Sequence, residues 1–246
     1  MKDWKEMHGD VIDRFLLYLN SKTDQFILKG GTALLECYGL DRFSEDIDFD
    51  GKESNIGEYV AGFCEENQYD FRVAKDTDTV KRYMIHYGNE GKPLKVETSF
   101  RRKHIPAEEI TKINGVQVYR INPLCTMKVN AYMGRDKLRD LYDIAFICGN
   151  YFEELQPEVK ALLQNALMYK GIEHFDYIVS QERDELIDEN RLAESFLAMF
   201  DQFDLLYTQE EKEILQEASA LSQNEAAQLE EKPNQKYRKK AADLEL

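Results

Sequence analysis

The chain has few of the residues and runs that mark several common protein classes. Its 246 residues include only four cysteines, five prolines and four histidines. No stretch approaches the ~18 uninterrupted apolar residues that a bilayer-crossing helix needs, which excludes a transmembrane helix. The cysteines are scattered and form no CxxC pair. We therefore expect reduced thiols, and neither a zinc site nor a disulfide framework.

Other absences exclude further functions. The opening residues 1–15 carry acids and no apolar segment, which predicts no secretory signal and a cytoplasmic protein. No G-x-S-x-G motif occurs, and the histidines lie in no recognisable site, so a serine-hydrolase triad is excluded. We also find no internal repeat and no low-complexity linker.

Charge is one-sided in total but not along the chain. Aspartate and glutamate number 47 against 32 lysine and arginine, which gives a net charge of −15. Residues 1–150 hold 22 basic and 25 acidic residues, whereas residues 151–246 hold 10 and 22. The stretch 101–150 is basic, with 9 against 5. The first half can therefore present a basic face to a phosphate-bearing substrate, or these charges simply solvate the surface.

Apolar spacing predicts strands and helices mixed in the first half and helices alone in the second. The predicted helices are 3–20, 32–38, 55–67, 123–133, 138–148 and several segments from 157 to about 222. The predicted strands are 26–28, 47–49, 69–73, 80–87, 94–100 and 116–121. Asp50-Gly51 is a turn signal after the second strand.

This order predicts an α/β (α+β) fold of two domains. The first, residues 1–122, is a mixed-sheet catalytic core that begins with a helix. The second, residues 123–246, is a helical domain that completes the active site. The seam falls at Asn122-Pro123, and the tail from about residue 232 is expected to be flexible.

Two aspartates spaced for one face of a strand carry the strongest chemical signal. Side chains alternate along a strand, so Asp46 and Asp48 point to one side while Ile47 points into the core. Two such carboxylates repel each other unless a cation lies between them, and magnesium prefers oxygen ligands of this kind. Glu97, in another predicted strand, is the candidate third acid. The three predict a site for two Mg²⁺ ions that activate an attacking oxygen and hold a triphosphate.

A glycine-rich turn precedes the aspartates. Gly30 and Gly31 let backbone N–H groups approach phosphate oxygens, and the helix that begins beside them favours an anion. Thr32 adds a hydroxyl that can donate to a phosphate or cap the helix. The turn predicts a phosphate-binding site for an NTP.

The order of these motifs is typical of one enzyme superfamily. A GG[ST] turn, a short helix and an Asp-x-Asp strand about fifteen residues later resemble the polymerase-beta-like nucleotidyltransferases. LKGGTAL, RFSEDIDF and residues 124–143, LCTMKVNAYMGRDKLRDLYD, together resemble the AbiEii/AbiGii toxin family. The matching blocks span about residues 26–50 and 120–148, and no motif can be matched beyond residue 150.

The resemblance implies a role for each matching residue. Gly30, Gly31 and Thr32 would contact nucleotide phosphates, and Asp46 and Asp48 would hold metal. Lys128 would contact the triphosphate, and Asp143 matches the last essential acid of the family. Glu97 departs from the aspartate that is more usual in the superfamily.

Several residues keep two interpretations. Asp143 acts directly in catalysis, or it forms a buried ion pair with Lys128, Arg135 or Arg139 that orients two helices. Arg42 binds phosphate or pairs with a neighbouring acid. Arg139 is a further candidate phosphate ligand. The cluster 101–104, RRKH, receives the acceptor's phosphates or is a solvated loop.

The resemblance also implies a function. The expected activity is transfer of NMP from an NTP to an RNA hydroxyl, notably the tRNA 3′ end, by the toxin of a toxin–antitoxin or abortive-infection system. A cognate antitoxin is the expected protein partner. Two alternatives stay open. In the first, the acceptor is a small molecule or a protein hydroxyl, and the acidic second half would suit a cationic small molecule. In the second, the chain is a nucleotide-binding module without catalytic activity.

Overall fold

The computed structural model describes residues 3–53, 55–88, 92–207, 211 and 214. The chain divides into two compact units, residues 1–199 and 200–246. In the second unit the described residues are the end of a helix, the turn and bend that follow it, and residues 211 and 214, which are helical. The expected boundary after residue 122 stays a prediction, and the expected flexible tail from about residue 232 lies outside the described residues.

The described residues form eight α-helices, seven strands and two short 3₁₀ turns. The helices are α1 (Trp4–Lys22), α2 (Gly30–Tyr38), α3 (Ile56–Asn67), α4 (Ile121–Gly134), α5 (Leu138–Tyr151), α6 (Pro157–Lys170), α7 (His174–Gln181) and α8 (Glu189–Gln202). The strands are β1 (Phe26–Lys29), β2 (Asp46–Gly51), β3 (Asp70–Asp76), β4 (Val80–His86), β5 (Leu94–Ser99), β6 (Ile110–Ile113) and β7 (Val116–Tyr119). This confirms the α/β class with a helical C-terminal region. None of the described helices is long and apolar enough to cross a bilayer.

All seven strands join one mixed sheet in the order β3-β4-β5-β2-β1-β7-β6. The pairs β2–β5 and β1–β7 are parallel, and the other four pairs are antiparallel. The central strand β1 is buried on both faces, and its residues Phe26, Ile27 and Leu28 are accordingly all apolar. At one border lies β3, whose seven residues are all exposed and whose pairing with β4 shifts register between Val73 and Lys75.

Residues 50 and 51 belong to β2, so the turn predicted there is wrong. Asp50 lies on the same strand face as Asp46 and Asp48, and it is buried. Lys29 Nζ lies 2.5 Å from its Oδ1, and the Tyr119 hydroxyl donates to its Oδ2 over 2.8 Å. Both carboxylate oxygens have partners, so a buried aspartate is tolerated within the strand. The Asp-Gly pair alone is typical of a turn, which is why the sequence predicted one here.

The sequence prediction also omitted β6. This strand is short, half-buried and at the second border of the sheet, so its apolar pattern is weak. The signal that could have found it is Asn114-Gly115, whose φ angles of 50° and 85° suit a tight hairpin between β6 and β7.

A carboxyl pair between α1 and α2 makes stability depend on pH. Burial, with a hydrogen bond to Asp13 and the charge of Asp13, raises the pKa of Glu36 to about 8. The folded state therefore holds this proton more tightly than the unfolded chain does, so the free energy of unfolding falls as pH rises from about 4.5 to 8.

We expect Glu36→Gln to remove that dependence and to raise the Tm above pH 8 by several degrees, about 2–4 °C for each kcal/mol recovered. Thermal unfolding followed by circular dichroism across this pH range measures both effects. The exposed Glu53→Gln variant is the matched control. A Tm of Glu36→Gln that tracks the wild type at every pH would contradict the assignment.

Candidate active site

Parallel pairing of β2 with β5 brings three acids to one face of the sheet. Asp48 stands opposite Glu97 in the register, and Asp46 stands opposite Lys95. Ile47, Phe49 and Val96 alternate with them and are fully buried in the core. The alternation of apolar and acidic residues therefore fixes where the carboxylates face.

Cations from the neighbouring strands neutralise two of the three acids. Lys95 Nζ lies 2.6 Å from Asp46 Oδ2, and the Asp46 side chain keeps 42% of its surface exposed. Arg82, on β4, donates from Nε to Glu97 Oε2 over 2.6 Å. In this arrangement the acids are held apart and paired with side chains that can swing away on long stems.

The ionised form of Asp48 carries an electrostatic cost in this place. Burial raises the pKa of its carboxyl, and the charges of Asp46 and Glu97 raise it further, against the opposing effect of Lys95 and Lys29. A carboxylate that is costly to ionise here is the kind of group that an added cation stabilises.

The donor set fits a hard divalent cation. Carboxylate oxygens from two or three acids, completed by substrate phosphates, form the usual magnesium site. Across the described residues no group of three or more His, Cys, Asp or Glu side chains is arranged as a finished ion site. Asp46 and Asp48 are therefore candidates for a site that the substrate's own oxygens would complete.

The Gly30-Gly31 turn packs directly against this carboxylate face. Gly30 adopts a φ of +82°, and a Cβ there would stand 3.1 Å from Asp48 Oδ2. A Cβ on Gly31 would stand 2.8 Å from Ser44 Oγ and 2.9 Å from Arg42 NH2. Glycine at both positions therefore allows the start of α2 to approach β2 closely.

Thr32 ties the turn to the strand. Its hydroxyl is fully buried, donates to the carbonyl oxygen of Asp46 and lies 2.9 Å from Ser44 Oγ. A hydroxyl in this place fixes the distance between the turn and the aspartates. The structure thus gives Thr32 a positioning contact, and its expected contact with a phosphate stays a prediction.

Asp143 sits between two cations. Arg42 donates to it from Nε and NH2, both over 2.8 Å, and Lys128 Nζ lies 2.5 Å from its Oδ2. Asp143 is fully buried, and Arg42 is 5% exposed. Of the partners expected for Asp143, Lys128 is present, whereas Arg135 and Arg139 pair elsewhere. Because Arg42 also donates to Phe43 O, its guanidinium is committed inside the protein.

The glycine turn, Asp48, Glu97 and Lys128 line one cleft of about 730 Å³. Its charged lining is six cations and three acids: Lys29, Arg82, Lys95, Arg101, Lys128 and Arg135, with Asp48, Glu97 and Asp140. Hydrogen bonding to Asp140 raises the pKa of Arg135, and the charges of Asp140 and Asp48 add to the rise against the cost of burial. An excess of cations around a glycine turn suits a polyphosphate.

Sequence reasoning missed several of these cations. Lys95 precedes Glu97 by two residues, so the same alternation could have placed it on the acidic face.

Arg139 was expected to bind phosphate, yet it pairs with Asp184 and Glu45 outside the cleft. The basic cluster 101–104 is divided, since Arg101 lines the cleft and Arg102 pairs with Glu109.

Comparison with known proteins agrees with this geometry. The profile of one family, described as nucleotidyl transferase AbiEii toxin of a type IV TA system, matches residues 14–238. The crystal structure of JHP933 from Helicobacter pylori is 26% identical, with a TM-score of 0.67 over 92% of this chain and 99% of its own. A second H. pylori structure, described as a candidate nucleotidyltransferase, is 26% identical, with a TM-score of 0.68 over 85% and 100%. No functionally curated protein matches the sequence.

Proposed function

The chain belongs to the AbiEii family of nucleotidyltransferase toxins, and from that membership we propose that it transfers NMP from an NTP to a hydroxyl of RNA, at the tRNA 3′ end. The acceptor oxygen forms a bond to the α-phosphorus, and the bond from that phosphorus to the β-bridging oxygen breaks. Pyrophosphate leaves with the electron pair, and the proton of the acceptor hydroxyl passes to solvent. The modified RNA is then unable to serve translation, which is the toxic effect.

The observation that carries this proposal is the close approach of Gly30 to Asp48. One short contact joins a phosphate-type turn to a carboxylate face that carries Glu97 in register. A triphosphate held at the turn by Gly30 and Gly31 would have its α-phosphate beside Asp48. Lys128 faces the same cleft and would neutralise the outer phosphates.

The remaining side chains of the cleft orient and neutralise. Lys95 and Arg82, now paired with Asp46 and Glu97, are free to turn to phosphate oxygens when the acids gain other partners. Asp143 pairs with Lys128 and is itself held by Arg42, so the two residues fix the position of Lys128. These groups would supply charge that favours the crowded transition state over separated substrates.

Asp46 and Asp48, with Glu97 as the third acid, would hold one or two Mg²⁺ ions. When bound, such ions lower the pKa of the attacking hydroxyl and stabilise charge on the leaving pyrophosphate.

Two other functions remain in competition. The 22 acidic against 10 basic residues of 151–246 would suit a cationic small molecule as acceptor, and a protein hydroxyl is a related possibility. A silent nucleotide-binding module is the second alternative. Asp48 and Lys128 line the same cleft, and Asp46 lies on the same strand face as Asp48, which argues for an active enzyme over a silent one.

Labelling decides between these functions. The purified protein is incubated with Mg²⁺, each α-labelled NTP in turn, and total RNA, total protein or a small-molecule extract. Label on RNA at one nucleotide supports the proposal. Label only on another fraction indicates a different acceptor, and NTP binding without any label in any fraction indicates the silent module.

Family membership also implies a protein partner. A type IV toxin is encoded with an antitoxin that counters it, so we propose a cognate antitoxin for this chain. We expect growth arrest when this chain is expressed alone. Co-expression of the open reading frame that lies next to its gene should relieve the arrest.

A further inference from the structure

A second cavity, of about 820 Å³, lies next to the catalytic cleft. It is lined by the start of α1, by Lys92, by the turn between α4 and α5, and by residues 182–186. Arg135 lines both cavities, so the two share a wall. The volume falls within the range of about 300–1,000 Å³ that is typical of ligand sites, which is large enough for a nucleotide-sized segment.

The cavity is basic although the chain as a whole is acidic. Six cations line it: Lys5, Lys92, Arg135, Lys137, Arg139 and Arg183. Four acids also line it, in a protein whose acids outnumber its bases by 47 to 32. A local excess of cations against that background favours a polyanionic ligand.

The acids of the cavity orient its cations. Glu182 accepts from Lys137 Nζ and from the backbone N–H of Leu138, each over 2.8 Å. Asp184 accepts from Arg139 and from the backbone N–H of Leu186. These carboxylates are held by backbone donors as well as by side chains, so they fix Lys137 and Arg139 at the rim of the cavity.

An aromatic ring completes the lining. Trp4 packs edge-on against His8 and Phe43, with ring centroids 6.1 Å and 5.5 Å away, and Lys92 Nζ lies 5.3 Å from its ring centroid. A braced indole beside a row of cations is the combination that single-stranded nucleic acid binds, since bases stack and phosphates pair.

The cavity also leads to the reacting residues. Glu45, which directly precedes the first residue of β2, accepts from Lys92 over 2.7 Å and from Arg139 over 3.2 Å. Two cations of the second cavity are therefore anchored one residue away from the carboxylate pair. A nucleic-acid strand bound along these two cations would pass Arg135 and bring its end to Asp46 and Asp48.

From these contacts we propose that the second cavity binds the sugar–phosphate backbone of a single-stranded RNA end, with Trp4 stacking on a base, and so delivers the acceptor hydroxyl to the catalytic cleft. This assignment rests on the proposed nucleotidyl transfer and names the site that receives the acceptor. It separates two binding events, with the NTP in the cleft and the RNA beside it.

The test neutralises two cations that have no role in the acid pairs described above. Lys5→Gln/Arg183→Gln is compared with Lys52→Gln/Lys112→Gln, which removes the same charge from exposed lysines that line neither cavity. The probe is a labelled single-stranded RNA oligonucleotide, and its anisotropy with the full-length protein is measured over a range of salt concentrations. NTP affinity and Tm are measured for every variant.

We expect the Lys5/Arg183 variant to bind RNA about tenfold more weakly, with a salt slope smaller by about 1.4, or ~0.7 for each RNA phosphate that is no longer neutralised. The control keeps the wild-type affinity and slope, and NTP affinity is retained in both. Trp4→Leu, which removes no charge, should weaken RNA binding about tenfold and leave the salt slope unchanged.

Three outcomes would overturn the inference. They are equal RNA affinity in the Lys5/Arg183 variant and its control, a parallel loss of NTP affinity, and a wild-type protein that binds no RNA. The proposed function fails separately, if the wild-type protein labels no acceptor at all while these RNA affinities still respond to the substitutions.

Discussion

Asp48→Asn is expected to abolish most nucleotidyl transfer and, at the same time, to make the protein more stable. Losing a metal-type ligand removes several kcal/mol of transition-state stabilisation, so the rate should fall about 10³-fold or more. Stability should move the other way. Burial and the charges of Asp46 and Glu97 raise the pKa of Asp48, so its ionised form is disfavoured in the fold.

The sign of the stability change follows from proton linkage. A carboxyl with a raised pKa in the folded state costs stability once pH exceeds its ordinary pKa, and asparagine removes that cost at neutral pH. We therefore expect a higher Tm for Asp48→Asn at pH 7, as is common when a functional residue is replaced. Single-turnover labelling measures the rate, and thermal unfolding measures the Tm.

Asp70→Asn is the matched control, because Asp70 is exposed on β3 of the same sheet and outside the cleft. Its rate and Tm should stay near the wild-type values. A rate for Asp48→Asn above a tenth of the wild-type rate would refute the catalytic role of this carboxylate.

The second large effect concerns Asp143. Asp143→Ala would leave the guanidinium of Arg42 and the ammonium of Lys128 without their shared carboxylate, in a place where Arg42 is almost entirely buried. Breaking a buried pair in this way costs about 3–5 kcal/mol. For a chain of this length that is a fall in Tm of roughly 10 °C.

Asp140→Ala is the comparison within the same helix. Asp140 pairs with Arg135, whose side chain is 62% exposed, so the cation left behind can be solvated and the loss of stability should be clearly smaller. A Tm loss for Asp143→Ala no larger than that of Asp140→Ala would contradict the buried-pair interpretation.

A double-mutant cycle separates a positioning role of Asp143 from a direct one. If Asp143 acts by holding Lys128, then Asp143→Asn should raise the KM for NTP in the wild-type background and change little in a Lys128→Met background. If Asp143 contacts the reacting groups itself, the two substitutions should multiply. The KM and kcat of the four proteins decide between these roles.

Local patterns predicted much of this architecture. Alternation placed Asp46 and Asp48 on one strand face, and apolar spacing located α1 within two residues at each end. The glycine pair was predicted as a turn before a helix at 32–38, and the helix begins two residues earlier, at Gly30. Each of these features depends on residues close in sequence, where strand and helix periods apply directly. The roles of the site residues stay predictions.

Features that depend on distant residues were out of reach. Arg42 and Asp143 are 101 residues apart, and only the packing of α5 against the segment before β2 brings them together. Arg139 was expected in the phosphate site, but the loop at residue 184 supplies a closer acid. Asp50 resembled a turn residue because its partners, Lys29 and Tyr119, come from two other strands. Sequence spacing alone carries no information on such pairings.

β3 is an exposed edge strand, and this affects how the protein could associate with itself at high concentration. A row of backbone amides and carbonyls at the margin of a sheet is a template on which a strand from another molecule can grow. The irregular register between Val73 and Lys75 interrupts that template, and the charges of Arg72 and Lys75 repel an identical copy laid in parallel. We therefore expect this irregularity and these charges to disfavour growth of a further strand on β3.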